Sequence, residues 1–205
     1  MTSGMEVERP SEFVYQYDMD ENGALYFLAS FGKKRLWQNP HAISQVQSFA
    51  SSIGSGGVED FVGRTVTNCR THNEPFSYFG VDLGKDRTLL PTCYTIRNRN
   101  SATHVMLNWH FEASNDKVNW TLLDRRIFMT GDSNWDLQFE DDQKQMCYKG
   151  ATSSWAIDTE LYRELGFEGF RFFRVCQVGK NSSGSDNLAL AGFELYGRPV
   201  KGRWP

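Results

Sequence analysis

The chain is 205 residues long and carries 22 basic and 25 acidic side chains, for a formal charge of −3. That balance provides no net basic field of the kind that draws proteins to nucleic acid. With 15 Phe, 8 Tyr and 6 Trp the chain is too aromatic to be disordered, and its length suits one large domain better than two.

No run approaches the ~20 apolar residues that a membrane-spanning helix needs. The opening MTSGMEVERPSEF has no apolar h-region, so no secretory signal is read there. Cys69, Cys93, Cys147 and Cys176 are widely separated and form no C-x-x-C pair. Cys93 and Cys176 sit in apolar runs, where a free thiol packs as a small hydrophobe. The sequons Asn119-Trp-Thr and Asn181-Ser-Ser are therefore read as chance matches, and the expected compartment is reducing, cytoplasmic or nuclear.

In chain order, residues 1–12 are polar and read as a disordered lead-in. FVYQY and ALYFLA flank the turn Asp18-Met-Asp-Glu-Asn-Gly23, which predicts an aromatic β-hairpin. The Ser/Gly-rich stretch 44–60 predicts a surface loop. Strands are expected at Tyr78–Leu83, Cys93–Arg97, Leu107–Ala113 and Val118–Leu123, and most clearly at Phe170–Val178 and Leu188–Tyr196. Alternation puts Leu107, Trp109, Phe111 and Ala113 on one face, and Trp109 and Trp120 both read as core. The acidic stretch 131–149 predicts a loop, and Glu160–Leu165 a single helical turn. Seven to nine short strands with almost no helix make the fold class all-β, a jelly-roll β-sandwich.

Several chemistries fail on spacing. Asp18-x-Asp20-x-Asn22-Gly23 copies the start of an EF-hand loop, but the twelfth position is Ala29 where a bidentate Glu is needed. Cys69 and His72 have no second Cys/His pair at zinc spacing. No local signature makes Cys147 a nucleophile. The carboxylates Glu140, Asp141 and Asp142 read as a solvated surface. No phosphate-binding glycine loop occurs, so no cofactor is implied.

The order of motifs resembles a known family. Tyr78-Phe-Gly-Val-Asp-Leu-Gly84 is followed by Ile96-Arg-Asn-Arg99, by Asn108-Trp109 leading into Glu112-Ala-Ser-Asn-Asp-Lys-Val-Asn-Trp120, and by Ala191-Gly-Phe-Glu-Leu-Tyr-Gly197. This series resembles the galactose-binding-like jelly roll of discoidin and coagulation-factor C-type domains. Asp20-Glu-Asn-Gly-Ala-Leu-Tyr26, Trp37-Gln-Asn-Pro40, Val58-Glu-Asp60, Asn68-Cys69 and Gly179-Lys-Asn-Ser-Ser-Gly184 are similar to the intracellular discoidin-like, or SUN-like, domain of large HECT-type ubiquitin ligases. The resemblance covers about residues 13–198, with 13–43 as an extension packed on the sandwich and 199–205 as a tail. Asn115-Asp-Lys117 departs from the usual Asp-Gly turn, so Lys117 is expected to bear any positive φ. Secreted members close the domain with a disulfide near its termini. No cysteine lies near either end here, in keeping with the intracellular branch. Nothing resembles a HECT catalytic domain, so ligase activity is not implied and no enzyme is expected.

Ligands of this fold meet loops at one end of the sandwich. The resemblance thus implies a ligand-binding set of Arg70, His72, Asn73, Arg97, Arg99, Asn100, His104, Lys180 and Asn181 on three loops. Arg97, Arg99, Arg70 and Lys180 form either a cationic mouth for a carboxylate or, for Arg97 and Arg99, scaffold pairs with neighbouring acids. His72 and His104 also have a plain reading as loop hydrogen-bonders. The expected function is a non-catalytic module recognising a peptide or protein, in ubiquitin-ligase biology and within a larger protein or complex. The alternatives are a carbohydrate-binding module and a structural subunit docking through the aromatic segment 13–39.

Overall fold

Period-two alternation of apolar side chains builds most of the structure, a computed structural model that describes residues 10–127, 148–158, 162, 164, 166 and 168–205. The strands are Gln47–Ala50 (β1), Tyr78–Asp82 (β2), Thr88–Asn98 (β3), Trp109–Ser114 (β4), Thr121–Arg126 (β5), Thr152–Ala156 (β6), Phe172–Gln177 (β7) and Leu190–Lys201 (β8). They pair antiparallel in two sheets, one ordered β1-β2-β7-β4-β5 and the other β6-β3-β8. Two packed antiparallel sheets make the expected jelly-roll sandwich.

The inward residues of both sheets meet in an aromatic core. Phe61 stacks on Phe79 and Phe193, at centroid distances of 5.6 and 4.7 Å, and Tyr94 stacks on Phe111 at 4.2 Å. Such pairs each contribute about 0.5–1.5 kcal/mol beyond the area they bury. Two of the polar tips satisfy each other. Trp109 Nε1 donates to Tyr94 Oη (2.9 Å), which donates to Asp124 (2.7 Å).

Four expectations change. Ala24–Ala29 is an α-helix (α1), not the second strand of a hairpin, because Ala24, Leu25, Leu28 and Ala29 bury at helical spacing. Stretch 44–60 is more than a loop: it contains β1 and a 3-10 turn at Val58–Val62 that places Phe61 in the core. Trp120 is not core. Leu123 points inward, so Trp120 falls out of phase and lies on the outer face, with the Arg174 guanidinium 4.0 Å above its ring. Finally, β8 runs through Lys201, and Trp204 is buried 5.2 Å from Phe13, so 199–205 packs on the domain instead of trailing from it. Lys117 does take a φ of +63°, in a turn where Asp116 accepts from Val118 N, Asn119 N and Asn119 Nδ2. Expectations for 1–9 and 131–147, including Glu140–Asp142 and Cys147, lie outside the described residues. So does most of the 160–165 turn, in which Tyr162 and Glu164 are helical.

The N-terminal segment is tied down by one buried carboxylate. Glu194 of β8, 2% exposed, accepts from Leu25 N (2.8 Å), Tyr26 N (3.1 Å) and its neighbour Leu195 N (3.0 Å). Arg64 closes the cluster, donating to Glu194 (3.4 Å), Met19 O (2.6 Å) and Asp20 O (2.5 Å). Phe13 bridges Gly197 and packs on Phe27, and Tyr15 meets Tyr196 edge-on, so much of the N-terminal aromatic surplus caps the sandwich. Burial pushes the Glu194 carboxyl up to about 7, against the pull of Arg64 and the amide donors. The folded value lies above the ordinary 4.5, so the folded chain binds this proton more tightly than the unfolded chain. Its stabilisation is full below about pH 4.5 and is lost as pH rises through 7. Urea unfolding should show the stability of wild type minus that of Glu194→Gln falling between pH 5 and pH 8, by on the order of 3 kcal/mol. A constant or rising difference contradicts this reading of Glu194.

Candidate functional site

The loops that leave the sheets at one end are hydrogen-bonded into a closed set. Segment 51–57 joins 67–77 through Gly54 N to Arg70 O (2.9 Å), Arg70 N to Ser55 O (2.9 Å) and His72 N to Ser52 Oγ (3.1 Å). Segment 67–77 reaches 98–106 through Asn100 N to Thr67 O (2.7 Å), and reaches 179–187 through Asp186 N to Asn73 Oδ1 (2.7 Å). Segments 98–106 and 179–187 close the set: His104 N donates to Ser183 Oγ (3.0 Å) and Val105 N to Ser182 Oγ (2.9 Å). A Cβ on Gly54 would stand 2.7 Å from Thr71 O, so the first junction requires a glycine.

The nine candidate residues divide within this frame. Arg97, 8% exposed, lies on the face of β3 opposite the core residues Tyr94 and Ile96 and donates to Ala191 O (2.8 Å), Gly63 O (3.0 Å) and Thr65 O (3.4 Å). A Cβ on Gly192 would meet its guanidinium at 2.8 Å, so the fit needs a glycine beside it. Desolvation, with Arg64 nearby, lowers Arg97 to about 10. Asn181, 2% exposed, donates to Asn187 O (2.9 Å) and accepts from Ser183 N and Ser185 N. These two side chains hold the loops from below. The spent amide of Asn181 also leaves its sequon closed in the folded chain. Lys180 pairs with Asp186, and Asn73 is engaged as the acceptor just described.

Arg70, His72, Arg99, Asn100 and His104 remain at the surface or just beneath it. Arg99 Nη2 donates to Thr103 Oγ1 (3.0 Å) and to His104 Nδ1 (2.9 Å), which leaves the ring proton of His104 on Nε2. Desolvation first, then Arg99 and Arg70, hold His104 below its ordinary value. Desolvation and Arg70 likewise lower Arg99. Thr67 Oγ1, Arg99 Nε and Asn100 Oδ1 are buried with no hydrogen-bond partner.

Three features of this end escaped the sequence. Segment 51–57 forms one side of it, and its signal was the glycines that allow close approach. Tyr148, 69% exposed, lies two residues before Gly150, whose N–H donates to Arg99 O (3.0 Å). Phe76, 66% exposed, holds a φ of +59°, and His104 holds +62°. Positive φ at bulky residues costs about 1–3 kcal/mol and concentrates at functional sites.

Among the described residues no cluster of His, Cys, Asp and Glu is arranged to hold a metal ion, and no helix is long and apolar enough to cross a membrane. Asp20 instead accepts from Gln16 N (2.9 Å) and Asn22 N (2.7 Å), and so closes a turn. Cys69, Cys93 and Cys176 are free and buried. Desolvation pushes their thiols up to about 12, 12 and 11, which makes them poor nucleophiles.

The chain has the galactose-binding-like jelly-roll fold, and its sequence is similar to a segment of two E3 ubiquitin-protein ligases. Across 92% of its length it is 31% identical to E3 ubiquitin-protein ligase Ufd4 of Drosophila melanogaster, and across 88% it is 33% identical to E3 ubiquitin-protein ligase hecd-1 of Caenorhabditis elegans. It spans only 6% of the length of either ligase. An Arabidopsis thaliana BTB/POZ domain-containing protein is 27% identical over 91% of the chain, which spans 22% of that protein. No protein-family model matches the chain. Among solved structures, a family 32 carbohydrate-binding module of a Clostridium perfringens family 31 glycoside hydrolase superposes with a TM-score of 0.53 at 14% identity, over 76% of this chain and 92% of that one. A second Clostridium perfringens module, solved with GalNAc-β-1,3-galactose, gives 0.50 at 13% identity, over 74% of this chain and 95% of its own.

The division of roles is open to a direct check by chemical denaturation. Arg97→Ala leaves three carbonyls without their donor and should cost roughly 3 kcal/mol, while Asn181→Ala should cost about 1–2 kcal/mol. Arg70→Ala, with no side-chain partner among the described residues, should stay within about 0.5 kcal/mol of wild type.

Proposed function

We propose that this chain is a recognition module that binds a peptide or protein at the end formed by segments 51–57, 67–77, 98–106 and 179–187. One observation carries the reading. Phe76 on the 67–77 segment and Tyr148, two residues before the Gly150-to-Arg99 bond, stand exposed at this end, where Thr67, Arg99 and Asn100 carry buried polar atoms with no partner among the described residues. Exposed aromatics on a rigid base are what a peptide-binding surface requires, because they bury large area at low entropic cost. Placement of such groups on loops over a stiff scaffold is the usual arrangement for binding.

The match to segments of E3 ligases supports a role in selecting substrates or partners within a larger ubiquitin-ligase polypeptide, in the cytoplasm or nucleus. The free, buried cysteines accord with a reducing compartment. A second reading has its own support. Phe76 and Tyr148 also suit a sugar-stacking platform, and one structural neighbour was solved with a disaccharide.

A phage-displayed peptide selection on the immobilised chain, run alongside a glycan array, separates the two. The expected result is selected peptides whose affinity falls at least tenfold on the Phe76→Ala/Tyr148→Ala double variant. The same peptides should bind Trp120→Ala, altered on the outer sheet face, as well as wild type. Glycan hits lost in the double variant, with no peptides selected, would establish the carbohydrate reading instead.

A further inference from the structure

We infer that the Arg70–Arg99–His104 corner of this end binds the anionic group of an acidic peptide residue, with the adjoining peptide N–H accepted by Asn100. The inference rests on the recognition reading above and names the chemistry of its ligand.

Among the described residues the corner holds several donors and no neutralising partner. Arg70 has no side-chain hydrogen bond, and among the described residues no carboxylate lies within ion-pair distance of Arg70 or Arg99. On the sheets Arg171 pairs with Asp82, Arg174 with Glu112 and Arg126 with Asp124, while the exposed Arg125 and Arg198 have no ion pair among the described residues. The nearby acid Asp186 is taken by Lys180. Arg70 and Arg99 thus repel each other, and both act on His104. An anion placed between them would remove that repulsion.

The donors are also fixed in position. Arg99 is held by Thr103 and His104, and His104 by Ser183, so Arg99 Nε–H and His104 Nε2–H keep set directions. A guanidinium matches the planar fork of a carboxylate and equally the oxygens of a phosphate. Asn100 Oδ1 is the complementary feature. Among the described residues it is a buried acceptor without a donor; the backbone N–H of Asn100 donates to Thr67 O, and the Thr67 hydroxyl is likewise unpartnered. A bare anion has no N–H for that oxygen, whereas a peptide does. Leaving such a group unpaired costs about 1–3 kcal/mol, which a bound N–H would recover.

The test uses the 205-residue chain labelled with nitrogen-15 and follows the Arg Nε–H and His ring resonances by NMR. The probes are N-acetylated, C-amidated Gly-Glu-Gly, its Gln and phosphoserine counterparts, and inorganic phosphate. The expected result is a saturable shift of Arg99 Nε–H with the Glu or phosphoserine probe, at least fivefold tighter than with the Gln probe. Arg70→Gln should abolish that preference, and because the Arg70 side chain makes no internal bond this variant should keep the fold. The stronger of the two acidic probes identifies the anion. A Gln probe that binds as well as the acidic ones, or an acidic probe unaffected by Arg70→Gln, overturns the inference. Inorganic phosphate binding as tightly as the acidic peptides overturns its peptide half. Failure here with peptides still selected at Phe76 and Tyr148 leaves the recognition reading standing.

Discussion

Two guanidinium groups on either side of three residues hold the molecule together. Arg97 reaches up from β3 and donates to the carbonyls of Gly63 and Thr65 as well as to Ala191 on β8. Arg64, between those carbonyls, turns the other way to Glu194 and to the carbonyls of Met19 and Asp20. The segment 63–65 is thereby fixed to the sandwich by one arginine and to the N-terminal segment by the other. Buried charge of this kind is costly unless every donor is used. Here the donors close on backbone carbonyls and one carboxylate, so the path of the chain into Thr67 and Arg70 is set by groups that have nowhere else to go.

That path decides where function can reside. The aromatic core is stacked between the sheets, and the outer face of the larger sheet largely satisfies itself: Arg174 lies over Trp120 and pairs with Glu112, while Lys117 lies over Phe49 and Phe172. The loop end carries unpaired groups of its own: exposed rings and, among the described residues, two arginines without acids and buried polar atoms without partners. A rigid sandwich with its loops interlocked at one end is suited to holding those loops still for a ligand.

The fold was largely legible because its signals are local and periodic. Phe79 and Val81, Trp109 and Phe111, and Phe173 and Val175 alternate as strands do, and the terminal strand fixed the motif order. Errors arose where a distant residue decided the outcome. Ala24–Ala29 has strand-like composition, but Glu194, about 170 residues further on, supplies the acceptor for its first amides. Trp120 is one position out of phase with Leu123, a difference that apolar character alone hides. At the candidate site, the sequence singled out three loops but could not rank their arginines. Arg97 and Arg99 are two residues apart on one strand and look alike in print. The pairing of β3 with β8 sends Arg97 under Ala191, whereas Arg99 lies past the last paired residue, Asn98, among the loops. Tyr148 was not singled out because the bond that brings its segment to this end joins Gly150 to Arg99, 51 positions away in sequence.

The central claim is that ligand meets the four loops and no other face. Hydrogen–deuterium exchange of the chain with and without a selected peptide tests it most directly. The account predicts added protection in 51–57, 67–77, 98–106 and 179–187, with β1, β5 and the Trp120 turn unchanged. Protection centred on Phe49 and Trp120 of the outer face, or on α1 and the N-terminal segment, would contradict it.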